Sequence, residues 1–345
     1  MLQEPDDTRA VTRRQALSLD FSKSSDELDS SVADYWIRVR RQAMACRFEV
    51  VLSGEDGAHL PAARAALDLV EDVESQLTVF RDTSEVVRLN RRAARESCGA
   101  SASLVALLER CRELHDATEG AFDVTSTPLS RCWGFLRREG RLPSDAELEH
   151  ARERVGMRLL ELNAEQCRVR FEREGMELNF GAIGKGYALD RMAQLLRARG
   201  VGRALLSAGR SSVLALGGPD EGYLIDLVSP RARGPRLARL RLQDAALGTS
   251  GAGVQFLEIE GRRYGHVLDP RTGRPASGVL SASVVANDAA SADALSTAFL
   301  IGGAALARRY CATHPGVLAL ITPDDGGERP ERIGDHAGAR LEDVC

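Results

Sequence analysis

Asn179-Phe-Gly-Ala-Ile-Gly-Lys-Gly-Tyr-Ala-Leu-Asp190 is the stretch on which the reading of this chain turns. Met176 to Phe180, at its head, predicts a short strand. Tyr187 to Arg199, at its tail, carries Leu189, Met192, Leu195 and Leu196 on one helical stripe, stopped by Gly200. Between the two lies a glycine-rich turn with one lysine. Gly181, Gly184 and Gly186 allow a tight turn and close approach of backbone to a ligand. The turn offers backbone N–H groups and the Lys185 ammonium at a helix N-terminus, where an anion is most stable. A phosphate-bearing ligand is therefore one expectation. A plain strand-to-helix turn with a solvated lysine explains the same residues. Gly186 and Tyr187 follow Lys185, so the nucleoside-triphosphate loop G-x-x-x-x-G-K-[ST] is excluded, and the dinucleotide fingerprint G-x-G-x-x-G is absent.

Outward from this turn, strands come in runs. Cys167 to Phe171 precedes it. Ala204 to Ser207, Tyr223 to Val228, Leu237 to Leu242, Val254 to Ile259 and Ser281 to Val285 follow it. Helices are predicted over Pro61 to Val79, after Ser103 as a cap, and from about Ala290 to Tyr310, with a last strand at Val317 to Ile321. Strands clustered in runs predict an α+β fold, with mixed but largely antiparallel sheets flanked by helices. Residues 1–33 read as a polar tail expected to be disordered, 34–325 as one domain, and 326–345 as a peripheral tail. The domain is expected to have two lobes, split near residues 150–175.

Composition narrows the class. The chain has 345 residues, 43% hydrophobic and 28% charged, the balance of an ordinary globular protein with a sizeable core. A net charge of −4 gives no global drive toward nucleic acid. Seven widely spaced cysteines without a C-x-x-C suit free thiols in a reducing compartment rather than a disulfide framework or structural zinc. No apolar run reaches the roughly 18 residues of a membrane span, and no stable membrane insertion is expected. Arg13-Arg14 is followed by a polar stretch with no apolar export core, so a cytoplasmic location is expected.

Three further segments could carry chemistry. In Ser291-Ala-Asp-Ala-Leu-Ser-Thr-Ala298, Asp293 and Thr297 share one face of an apolar helix. A carboxylate and a hydroxyl so placed suit Mg²⁺, but spacing alone favours the plainer reading, Asp293 as a first-turn charge on the helix dipole and Thr297 as ordinary filler. In Tyr264-Gly-His-Val-Leu-Asp-Pro-Arg-Thr-Gly-Arg-Pro275, a strand-like run enters a rigid turn with His266 beside it. A neutral imidazole there could take a proton near pH 7. Gly120-Ala-Phe-Asp-Val-Thr-Ser-Thr-Pro-Leu-Ser-Arg-Cys-Trp-Gly-Phe135 puts aromatics beside Asp123 and Thr125, a set suited to a planar ring or to capping the core.

Together these segments, in this order, resemble the ApbE family, the FAD:protein FMN transferases. The resemblance runs from about Met44 to Ala319 and includes Phe80-Arg-Asp-Thr-Ser-Glu-Val-Val-Arg-Leu-Asn90 and Gly248-Thr-Ser-Gly251. It implies an enzyme with FAD and Mg²⁺ held between two lobes. Such an enzyme transfers FMN to a Thr or Ser hydroxyl of an acceptor flavoprotein and releases AMP. Residue by residue, it implies Mg²⁺ held by the Ala182 carbonyl and the side chains of Asp293 and Thr297. It places Lys185 beside the flavin ligand, and Met44, Phe80, Ala121, Phe122, Asp123, Asn179 and Val267 around it. His266 is the expected base on the acceptor hydroxyl, with Asp269 and Asp293 as competitors. The chain departs from the family pattern at Asn179 (usually Asp), Phe80 (often Tyr), Gly209-Arg-Ser-Ser212 (often Gly-Gly-Asp) and Met44-Ala-Cys46 (Met-Gly-Thr). An FAD pyrophosphatase and a non-catalytic FAD-binding protein are the alternative readings.

Overall fold

A computed structural model describes residues 13–14, 19–20, 36–136, 140–219, 221–231, 234–252, 255–259, 262–327 and 329–344. Among these, the first half of the chain runs β1 (Arg13–Arg14), β2 (Leu19–Asp20), β3 (Trp36–Ala43), β4 (Cys46–Ser53), α1 (Leu60–Leu77), α2 (Glu85–Arg92), β5 (Cys98–Gly99), α3 (Ala102–Ala117), α4 (Thr127–Cys132) and α5 (Asp145–Arg152). It continues with β6 (Leu160–Asn163), β7 (Arg168–Phe171), α6 (Gly184–Ala198), β8 (Ala204–Ala208), β9 (Ser212–Leu216), β10 (Tyr223–Val228), β11 (Arg236–Leu242) and β12 (Ala246–Gly251). The last elements are β13 (Gln255–Ile259), β14 (Arg262–Gly265), β15 (Val279–Ala286), α7 (Ala289–Thr313), β16 (Leu318–Pro323), β17 (Glu331–Gly334) and β18 (Ala339–Val344).

The centre is an eight-stranded sheet in the order β17-β16-β15-β12-β9-β8-β4-β3, and every neighbouring pair in it is antiparallel. Its front face carries α1, α6 and α7 over the main core, in which Leu67, Val70, Leu189, Met192, Leu295 and Phe299 are all buried. Its back face meets the β18-β11-β10-β2 sheet across a second core that includes Ile225, Leu240 and Leu247. This is the expected α+β fold. β15 is buried at every position because it is covered on both faces, so its residues, small serines included, are all buried instead of alternating in and out.

Local sequence places most elements, and tertiary context shifts some. α1 buries Ala63, Ala66, Leu67, Val70, Val73 and Leu77, the stripe that its spacing predicts, with a proline in its first turn. The cap of α3 is Ser101, which accepts the Leu104 N–H, and not Ser103. Residues 176–180 are not a strand. They are extended, with one isolated parallel bridge between Ser126 and Glu177, and Leu178 exchanges two hydrogen bonds with the Asn90 side chain in place of a neighbouring strand. The Tyr264 to Leu268 run is also interrupted: β14 ends at Gly265, and Leu268 forms an isolated bridge to Pro275. The C-terminal segment, expected as a peripheral tail, supplies the edge strands β17 and β18 to the two sheets. Of the expected N-terminal tail, β1 and β2 pair with β13 and β10, and the rest lies outside the described residues.

α7 is long and apolar enough, by length and composition, to cross a membrane, but 67% of its apolar window is buried inside the protein. Its first turn decides the site. A Cβ on Gly186 would lie 2.0 Å from the Ala289 carbonyl oxygen, and one on Gly248 would lie 2.4 Å from the Ala292 carbonyl. α6 and β12 thus press their backbones directly on the start of α7. Gly248→Ala is expected to lower stability by about 1–3 kcal/mol or more, because backbone must move. A denaturant melt that matches wild type would contradict this packing.

Candidate functional site

Lys185 lies in the first turn of α6, which begins at Gly184, earlier than the apolar stripe suggested. The turn before it closes through Gly184 N–H donating to the Phe180 carbonyl at 2.6 Å. At its head, the Asn179 side-chain oxygen accepts the Gly181 N–H at 2.8 Å, and the Asn179 N–H donates to the Val124 carbonyl at 2.8 Å. Asn supplies this turn-closing acceptor with an amide oxygen, without the charge a carboxylate would add.

Asp293 is brought to the same place by α7. It is 4% exposed, and both its oxygens are engaged. Oδ2 accepts the Gly186 N–H at 2.8 Å and lies 3.6 Å from Lys185 Nζ, while Oδ1 accepts the Ser212 hydroxyl at 2.5 Å. A buried carboxylate without such donors would be costly. Thr297, one turn on, is half-buried, with its hydroxyl 3.2 Å from that of Ser250. Ser250 in turn contacts Ser296 at 2.9 Å. The first two candidate segments therefore meet through a direct backbone-to-carboxylate bond. Among the described residues no three His, Cys, Asp or Glu converge. One carboxylate and neighbouring hydroxyls gather here, oxygen donors of the type Mg²⁺ takes.

Met44 and Ala45 turn the β3–β4 hairpin with positive φ of 48° and 58°. The hairpin tip reaches the start of α6: Met44 Cε lies 3.1 Å from where a Gly184 Cβ would be. Cys46, two residues on, borders the cluster. Burial pushes its thiol up to about 11, with Lys185 pulling down and Asp293 pushing up. Phe80 is 79% exposed and free to stack on a ring.

The aromatic loop and the proline turn meet on the other side. Trp133 is buried and donates its indole N–H to the Gly273 carbonyl at 2.8 Å. Trp133 and Phe135 thus belong to a small core, as the packing reading had it. Ala121 and Phe122 are fully buried side chains, so what they can offer a ligand is backbone. Asp123 accepts the Thr125 N–H at 2.7 Å and its hydroxyl at 2.6 Å, and its other oxygen lies 3.3 Å from His115 Nδ1. Burial pulls the His115 imidazole down, but the Asp123 hydrogen bond and charge outweigh it and leave its pKa raised. His266 and Val267 are half-buried in the segment that enters the turn, and the Val267 carbonyl accepts the Ala276 N–H at 2.9 Å. In the turn, Arg271 holds both Asp269 oxygens, each at 2.9 Å. The Asn179–Val124 bond joins this side to the head of α6.

Sequence reasoning missed Ser212, Ser250, His115 and Asp190. Asp190 stands at the end of the quoted stretch and caps α7, accepting the Ala289 and Ala290 N–H groups at 2.8 and 2.9 Å. Burial pushes its carboxyl from the usual 3.8 up to about 7; Asp288 adds to the rise, the two amides oppose it, and Asp293 adds again. The folded state thus binds this proton more tightly than the unfolded chain. Its contribution is present below about pH 4 and is lost as pH rises toward 7. Between those limits wild type is expected to lose stability relative to Asp190→Asn as pH increases. Parallel melts in which the difference between the two proteins stays flat would refute the shift.

Comparison with known proteins follows the same lines. The ApbE family profile matches residues 44–321. An FAD:protein FMN transferase of Treponema pallidum is 31% identical over 81% of this chain and 82% of its own. One from Vibrio cholerae is 28% identical over 75% of this chain and 78% of its own. The crystal structure of the ApbE protein of Thermotoga maritima superposes with a TM-score of 0.80 at 28% identity, over 87% of this chain and 97% of that one.

Proposed function

The chain belongs to the ApbE family, and on that premise we propose that it transfers FMN from FAD to a Thr or Ser hydroxyl of an acceptor protein, with Mg²⁺, and releases AMP. The observation that carries the reading is the convergence of Lys185, the Gly186 N–H and buried Asp293 where α6 and α7 begin. That convergence sets a cation beside a buried carboxylate that a backbone N–H holds in place, a pairing suited to a diphosphate and its metal ion.

Asp293, Thr297 and the Ala182 carbonyl would hold the Mg²⁺. When bound, the ion supplies Lewis-acid polarisation of the phosphoryl oxygens. Lys185 binds the diphosphate and offsets the charge that builds on it. Met44, Phe80, Asn179, Val267 and the Ala121–Asp123 backbone line the FAD. In the transfer the acceptor hydroxyl oxygen forms a bond to the FMN phosphorus. The bond from that phosphorus to the bridging oxygen breaks, AMP leaves with the oxygen, and the hydroxyl proton goes to a base. His266 is the base on this reading. Asp269 is tied to Arg271 through both oxygens, Asp293 would serve the metal, and an imidazole suits a proton near pH 7.

Incubation with FAD and Mg²⁺, with and without an acceptor, tests the reaction by chromatography of AMP and FMN. The proposal expects AMP to appear with acceptor and free FMN to stay low. Free FMN equal to AMP in both cases would establish a pyrophosphatase instead.

A further inference from the structure

We propose that Ser212 is a positioning residue for Asp293, fixing the orientation in which that carboxylate takes its divalent cation; the inference rests on the metal reading of the site given above. Ser212 is fully buried at the head of β9, a strand whose other residues, Val213 to Leu216, are apolar. A hydroxyl in that setting needs a partner, and its partner is Asp293 Oδ1 at 2.5 Å.

The spacing of the pair is set by backbone. Ser212 is registered against Ala208 of β8 and Gly248 of β12. Gly248 is the glycine that lets the first turn of α7 rest on the sheet. The Thr249 N–H donates to the Ser211 carbonyl at 2.7 Å, which fastens the same corner. The hydroxyl therefore stands at a fixed height beneath Asp293. It has one proton, given to Oδ1; its oxygen lies 3.3 Å from the Ser211 hydroxyl, which can donate to it.

A carboxylate on its own rotates broadly about its last torsion. Here two donors from different elements hold it: Ser212 of β9 on Oδ1 and the Gly186 N–H of α6 on Oδ2. Each oxygen keeps a lone pair for a cation, aimed in a direction the donors determine. Mg²⁺ demands near-octahedral geometry and tolerates little misplacement, so this orientation matters more to it than to a softer or larger ion. Partners of this kind around metal ligands typically change metal affinity by about 10- to 100-fold when removed.

The test is direct binding of Mn²⁺, as a paramagnetic stand-in for Mg²⁺, to the full chain without FAD, read by electron paramagnetic resonance. Wild type, Ser212→Ala, Ser212→Thr and Asp293→Asn are compared, each first shown to be folded by thermal melting. Ser212→Ala is expected to weaken Mn²⁺ binding by about 10- to 100-fold, and Ser212→Thr, which restores the hydroxyl, to recover most of it. Ser212→Cys, with similar shape and a weak donor, replaces Ser212→Ala if the latter does not fold and is expected to fall between. Wild-type affinity in the variant that lacks the hydroxyl, with Asp293→Asn impaired, overturns the inference and leaves the metal reading standing. Wild-type affinity in Asp293→Asn, or no binding by wild type, removes the metal reading and the inference together.

Discussion

Asp293→Ala is expected to lower FMN transfer by about 10³-fold or more while FAD still binds. The substitution removes the only carboxylate of the proposed metal set. The Lewis-acid role of such an ion is worth several kcal/mol of transition-state stabilisation, and each 1.36 kcal/mol is tenfold in rate. It also leaves the Gly186 N–H and the Ser212 hydroxyl without their acceptor in a buried setting, so a drop in melting temperature should accompany it. Single-turnover transfer at saturating FAD, over a wide range of Mg²⁺, checks the prediction. Transfer within a few-fold of wild type at low Mg²⁺ would place the metal elsewhere.

The second large effect concerns His266. A positioned general base contributes about 10²–10⁴-fold, so His266→Ala should slow single-turnover transfer by that order. The loss should narrow at high pH, where the acceptor hydroxyl ionises more readily without help. FAD affinity should change little, since an imidazole that takes the hydroxyl proton acts on the acceptor and not on the diphosphate. Transfer at the wild-type rate in His266→Ala would sink the assignment and reopen the role for a carboxylate.

How far the sequence carries is clearest residue by residue. α1 was legible because its apolar spacing matches the face it buries, α7 is the helix expected from about Ala290 to Tyr310 but is buried all round over its first turns, and Tyr223 to Val228 is β10 as predicted. The start of α6 was misplaced because Gly184 and Gly186 carry no apolar signal. Gly186 lies against the start of α7 and donates its N–H to Asp293, 107 residues on, while Gly184 lies against Met44 and Phe180, contacts that no local pattern reveals. Met176 to Phe180 looked like a strand because its alternation is real, but its backbone partner is the Asn90 side chain, which no local pattern reveals. β17 and β18 were overlooked because edge strands with one solvent face are short and polar.

The site divides in the same way. Residue type and spacing drew notice to Lys185, Asp293 and Thr297 with a plain structural reading beside each, the resemblance gave them their site roles, and α6 and α7 bring the first two within 3.6 Å. The resemblance to ApbE proteins supplied what geometry alone left open, the flavin and the acceptor. Ser212 appeared only as a departure from a family pattern. Its hydrogen bond to Asp293 joins residues 81 apart in sequence and depends on the register of β9 and β12. At the Asn179 departure the amide oxygen closes the turn by accepting the Gly181 N–H.

The central claim is that this chain joins FMN covalently to a protein. The most direct measurement is the intact mass of an acceptor flavoprotein, with its Thr or Ser site, after incubation with the chain, FAD and Mg²⁺, alongside the same acceptor with that residue changed to Ala. The account predicts a mass gain of one FMN less one water on the unaltered acceptor, none on the Ala form, and none when Asp293→Ala replaces the wild-type chain. An acceptor of unchanged mass, in a mixture where FAD is nonetheless split to FMN and AMP, would contradict it.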